Sequence, residues 1–154
     1  MKRALLLIHL LIGIIGMTWA QEAKSEFELI RSIFETEKRG FYEQYMDLTD
    51  QEEQVFWPLY EDYEIERSAY SKKRLDALRF FVQNYEGMTD KQASDFVNDI
   101  FKFQRMDMKL NKKYFRLMST KMSEKKAVRF IQIEEYIHTK IKLQIIEALP
   151  FIRD

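Results

Sequence analysis

Leu48 to Tyr63 reads LTDQEEQVFWPLYEDY, and its first residues carry the signature of a helix start. Thr49 has the chemistry of a helix N-cap, with Glu52 three residues on to complete a capping box. Asp50, Glu52 and Glu53 place negative charge in the first turn, at the positive end of the helix dipole. An aromatic block follows at Phe56, Trp57, Tyr60 and Tyr63. The same opening recurs at Met88-Thr89-Asp90 and at Met122-Ser123-Glu124. Each copy has a large apolar residue, a hydroxyl residue and an acid, with a phenylalanine eight positions after the first residue: Phe56, Phe96 and Phe130. Three capped starts imply three long helices.

The intervening residues carry helical periodicity. Upstream, Phe27, Ile30, Phe34, Phe41 and Tyr45 predict a first helix from Ser25 to about Met46. Gly40 inside it costs about 1 kcal/mol relative to Ala and is a place for a bend or short break. The second helix is expected from Thr49 to about Tyr85, roughly 50 Å of helix. Pro58 lies inside it and removes a backbone hydrogen bond, which predicts a kink; the rival parse starts the main helix at Pro58 itself. The third opens at Thr89, with Gln92 completing a second capping box. Its residues Phe96, Ile100, Phe103, Asp107, Leu110, Tyr114 and Leu117 step alternately four and three, a heptad seam with one acid in the middle. The fourth runs from near Ser123 to about Ala148, with Phe130, Ile133, Ile137, Ile141 and Ile145 on its apolar face, and Pro150 ends it.

Composition agrees. The 154 residues include four glycines, two prolines and no cysteine, and 46% are hydrophobic. Strand signals are poor, because no stretch alternates cleanly and no Asn-Gly or Asp-Gly turn occurs. The expected fold is all-α: a four-helix antiparallel hairpin assembly with long bent helices. So thin a layer leaves one apolar side under-covered, which dimerisation would cover.

Residues 1–20 read as a secretory signal peptide. Lys2 and Arg3 form a basic n-region, Ala4 to Gly16 is almost wholly apolar, and Thr18-Trp19-Ala20 is an acceptable cleavage site. An uncleaved N-terminal anchor is the competing reading. Residues 21–154 then form one domain, periplasmic or otherwise extracytoplasmic, with no stable membrane anchor after cleavage. From Gln21 to Glu66 there are fourteen acidic and four basic residues; from Arg67 to Asp154 there are eleven acidic and nineteen basic. The two parts are expected to attract each other, within one chain or across a dimer, and the positive part offers a surface to partners.

The caps at Thr49 with Glu52, Thr89 with Gln92, and Ser123 read as structural, each stabilising a helix end by about 1 kcal/mol. The aromatic block reads as core, with client contact by exposed members as the alternative. The row Lys102, Arg105, Lys109, Lys112, Lys113 and Arg116 on the third helix is either a solvated face or a surface for a client or membrane. Apolar Phe101, Met106, Met108 and Phe115 interleave with it, and Lys72, Lys73 and Arg79 extend it to the second helix. Nucleic acid is an unlikely target for an exported chain whose mature part is slightly acidic. No catalytic residue is assigned: His9 leaves with the signal peptide, His138 stands alone, and no cysteine is present. Glu134 and Glu135 point to different faces and read as ordinary helix charges. No cofactor or metal is expected, since Met106 and Met108 do not share a helix face and the other methionines suit packing.

Leu48-Thr49-Asp50-Gln51-Glu52 and Met88-Thr89-Asp90-Lys91-Gln92 resemble the Leu-Thr-x-x-Gln openings of the Spy/CpxP-like, LTXXQ-motif proteins, small exported helical stress proteins. The first copy has Glu in the Gln position and the second has Met in the Leu position. A closer resemblance is to a branch common in Bacteroidetes labelled as sensors of extracytoplasmic-function (ECF-type) sigma factors. It is carried by FETEKRGFYEQYMDLTDQEEQVFWPLYEDYEIER (Phe34 to Arg67) and KKYFRLMSTKMSEKKAVRFIQIEEY (Lys112 to Tyr136), and most specifically by Phe56-Trp57-Pro58-Leu59-Tyr60. The resemblance implies an antiparallel homodimer of bent helices shaped as a shallow cradle, whose positive and apolar concave face holds unfolded or partly folded proteins without ATP. The alternative is a regulatory module that binds an envelope sensor or anti-sigma factor.

Overall fold

The computed structural model describes residues 38–152. The expected signal peptide and the part of the first helix before Lys38 lie outside these residues. Every regular element among the described residues is helical. Residues 38–45 form α1, Asp50–Asn84 form α2, Asp90–Lys121 form α3 and Glu124–Ala148 form α4, with a 3-10 turn at Tyr85–Gly87.

The helix starts follow the capping chemistry. The Thr49 side chain accepts from the Glu52 N–H, and the Glu52 carboxylate accepts from the Thr49 N–H at 2.9 Å. Thr89 and Gln92 repeat the arrangement at α3, again with 2.9 Å to the cap N–H. Ser123 caps α4 by accepting from the Lys126 N–H, without a reciprocal side chain. α2 begins at Asp50, so the parse that starts the helix at Pro58 is wrong. Pro58 is exposed inside an unbroken 35-residue helix, where the capped turn and the aromatic packing on either side outweigh its one missing hydrogen bond. Gly40 does not break α1 either; residues 38–45 are continuously helical.

Side-chain partners give the register. Tyr63 meets Asn111, Tyr70 meets Asp107, and Phe81 stacks on Phe96, so α2 and α3 run in opposite directions. Asn111 meets Glu135 and Asp107 meets His138, so α3 and α4 do the same. α1 lies against α2 and α4 together, with the Tyr42 ring beside Phe56, Tyr60 and Phe130. The carbonyls just past its C-terminal end are captured by α4: Arg129 donates to Met46 O at 3.2 Å, and Lys126 donates to Asp47 O. These cations satisfy acceptors left over at a helix C-terminus, where positive charge is favoured. Asp47 makes the reversal into α2 with a left-handed φ of 52°, a region that Asp tolerates better than most residues.

The core is aromatic where α1, α2, α3 and α4 meet. Tyr42, Phe56, Phe130, Tyr114, Met46 and Met118 are its largest fully buried side chains. Burying each such side chain contributes roughly 1.5–3 kcal/mol, and edge-to-face ring pairs such as Tyr63 with Phe130 add to that. The Phe56 to Tyr63 block is therefore core, except that Trp57 is half-buried and covered by the Arg39 guanidinium 4.1 Å from its ring centroid. The acidic and basic parts of the chain do meet within one molecule: Glu52 pairs with Lys126, Glu66 with Lys113 and Asp47 with Arg129.

Candidate functional site

Two features have the chemistry for function: a charged layer inside the bundle and a cationic, apolar face outside it. The inner layer centres on Glu134, which is only 3% exposed. Tyr63 donates to its carboxylate at 2.7 Å, Tyr42 donates as well, and the Lys38 ammonium lies 2.7 Å away. Lys38, also 3% exposed, is shared with Glu64. Burial alone would raise the Glu134 carboxyl, but Lys38 and Arg67 outweigh it and hold the group below the ordinary carboxylate range. Burial, reinforced by Glu134, pushes the Tyr42 and Tyr63 phenols well up, so both remain hydrogen-bond donors. A buried carboxylate thus has both its cation and its donors, which is the condition for tolerating it.

A second polar layer lies one to two turns further along α2. Asp107 accepts from the Tyr70 hydroxyl at 2.7 Å and lies 3.5 Å from Arg74 and 3.6 Å from His138. Arg74 is 3.2 Å from the His138 ring nitrogen. Burial, with Arg74 and Arg67, lowers the His138 pKa below its usual value, against the opposing pull of Asp107 and Glu134. The acid in the middle of the α3 seam is therefore the anchor of this layer. His138 is not isolated, and Glu134 is not an ordinary helix charge; only Glu135 is exposed. Glu134 was detectable in the sequence, since it follows Phe130 by four residues and precedes Ile137 by three, on the same apolar face.

Outside, Lys102, Arg105, Lys109, Lys112 and Arg116 are all exposed on α3, and none forms an ion pair with a described residue. Phe101 and Met108 beside them are 50% and 66% exposed. Met106 and Phe115 instead pack against the core. Lys72 and Lys73 are exposed on α2. Two residues of the expected surface are engaged elsewhere: Lys113 bridges to Glu66, and the half-buried Arg79 pairs with Asp76 at 3.1 Å. The capping residues Thr49, Glu52, Thr89, Gln92 and Ser123 serve their helix ends.

Among the described residues no cluster of three or more His, Cys, Asp or Glu side chains has the geometry to hold a metal ion, and no helix is long and apolar enough to cross a membrane. No protein-family model, curated protein or solved structure matches the chain.

Proposed function

We propose that this is an exported, helical binding protein, not an enzyme, that holds unfolded or partly folded protein segments without ATP. The carrying observation is the exposed face of α3, where cations without an ion pair to a described residue lie beside Phe101 and Met108. Apolar contact beside unsatisfied positive charge suits protein segments that expose apolar side chains near acids. The reading also includes a homodimer in which α2 and α3 of each copy form a shared cradle, periplasmic localisation through residues 1–20, and a place in the envelope stress response. Support for these comes from the Spy/CpxP-like resemblance and the signal-peptide pattern. The test is an aggregation assay with a chemically denatured client and no nucleotide. Suppression near stoichiometric protein is expected, and unchanged light scattering at a several-fold excess would overturn the reading.

A second reading is a regulatory module docking on one envelope sensor or anti-sigma factor. The Phe34 to Arg67 resemblance and the uneven charge along the chain favour it. Pull-down from envelope extracts separates the two: one defined partner supports regulation and many clients support holding.

A further inference from the structure

α3 carries two seams. The inner one, through Phe103, Leu110 and Tyr114, is buried against α2 and α4. The outer one is Val97, Phe101, Gln104, Met108, Asn111 and Phe115, stepping four, three, four, three, four. Its C-terminal end is closed. Asn111 accepts from Tyr63 at 3.0 Å and donates to Glu135 at 3.4 Å, and Phe115 packs against the core. Its N-terminal part is open: Val97, Phe101 and Met108 are 44%, 50% and 66% exposed. Beside it, Lys102, Arg105, Lys109, Lys112 and Arg116 step three, four, three, four. Like charges at these separations repel along a helix, and no described acid forms an ion pair with them, whereas Lys91 and Lys113 on the same helix are paired with Asp95 and Glu66.

We propose that the open outer seam of α3 takes an acidic amphipathic helix of a partner protein, packed alongside α3 as in a coiled coil. This rests on the reading of α3 as a protein-binding face and names the partner's chemistry. Apolar residues of the partner at a and d positions meet Val97, Phe101 and Met108. Its flanking acids meet Arg105, Lys109 and Lys112, the role that e and g charges play in setting partner choice. Both rows run along the axis of α3, which suits a partner helix packed alongside it with apolar residues on one face and acids at its flank. The placement of the cations selects a helix over an anionic bilayer. Arg105 and Lys112 share the outermost line of α3, opposite the buried Phe103 and Leu110, with Phe101 and Met108, and the cations of α3 lie to one side of the apolar row only. A helix lying in a membrane interface has its apolar residues outermost and its cations at the flanks.

The test titrates the full chain into a fluorescently labelled peptide of about four heptads, with Leu at a and d and Glu at e and g. Controls are a scrambled peptide of equal composition and one with Lys in place of Glu. The acidic heptad peptide is expected to bind, to weaken with salt, and to lose at least about tenfold in affinity with R105E/K109E or Phe101→Ser. These positions are exposed, and a circular dichroism melt checks that each variant is folded. Equal binding of the scrambled peptide, or binding of none, would overturn the inference. So would binding to phosphatidylglycerol vesicles in place of peptide, or self-association abolished by R105E without peptide binding, which assigns the seam to a second copy. Undiminished aggregation suppression without peptide discrimination sinks this inference alone and leaves the holding activity standing.

Discussion

Replacing Glu134 by Gln keeps the shape of the side chain and removes the charge that Lys38 and Arg67 surround. Lys38 and Arg67 then keep only the partly exposed Glu64 as counter-charge, a change expected to cost about 1–3 kcal/mol. Urea unfolding of Glu134→Gln against Glu135→Gln checks this, because the exposed neighbour is expected to change stability by less than about 0.5 kcal/mol. The same residues give stability a pH dependence. The folded pKa of His138 lies below 6.5, so as pH falls the unfolded chain takes up that proton first. Stability from neutral His138 is complete above pH 6.5 and declines below it. Glu134 is depressed below 4.5, so its contribution is present above pH 4.5 and is lost as pH falls further. The groups that set both titrations are Arg67 and Arg74 on α2, Asp107 on α3, and Lys38 on α1. Unfolding free energies from pH 7 to 3 are expected to fall in two stages, with the upper stage flattened in His138→Gln. A constant stability between pH 7 and 5 in the parent chain would refute the assignment. Periodicity places Asp107 and Glu134 on the apolar faces of α3 and α4, but it carries no information on which residues of the other helices meet them, so Lys38, Tyr42, Tyr63 and Arg74 were not legible as their partners.

At the scale of the element, the sequence is most legible. The starts of α2, α3 and α4 fall where Thr49, Thr89 and Ser123 place them, since capping is a local interaction among residues three apart. Thr49→Ala and Thr89→Ala are each expected to cost about 1 kcal/mol, and to be additive because they cap well-separated ends. A double-mutant cycle by chemical denaturation checks both statements. The apolar stripes were equally legible, with Phe103, Leu110, Tyr114, Phe130, Ile133 and Ile137 all buried. Less legible were Pro58 and Gly40. Helix continues through both, through Pro58 where Phe56, Leu59 and Tyr60 pack into the core around it, and through Gly40 where Tyr42 does so just after it. Gly40 is exposed in α1, and a Cβ added there meets no atom within 4 Å. Gly40→Ala is therefore expected to stabilise the chain by about 0.5–1 kcal/mol, read as a raised urea midpoint. A lowered midpoint would show that α1 needs glycine for a reason outside helix propensity.

For the whole molecule, the uneven charge along the chain is used in two ways. Part of it closes the fold, where acids of the Asp47 to Glu66 region meet Lys113, Lys126 and Arg129. Pairs at or near the surface like these contribute little stability each, and their value lies in orienting the α1–α2 connection and α2 on the later helices. The remainder is presented outward on α3 without a described counter-charge. The sequence identified this row as positive but could not separate its members. Lys113 lies within reach of Glu66 because of the α2–α3 register, a tertiary fact, while Arg105, Lys109 and Lys112 are left facing solvent. In the proposed function those three cations, with Phe101 and Met108, make the protein-binding face. Aggregation of a denatured client, followed by light scattering beside the parent chain and R105E/K109E/K112E, tests it most directly. Suppression by the parent and its loss in an equally stable, equally helical variant is the predicted result; undiminished suppression by the variant would contradict the account.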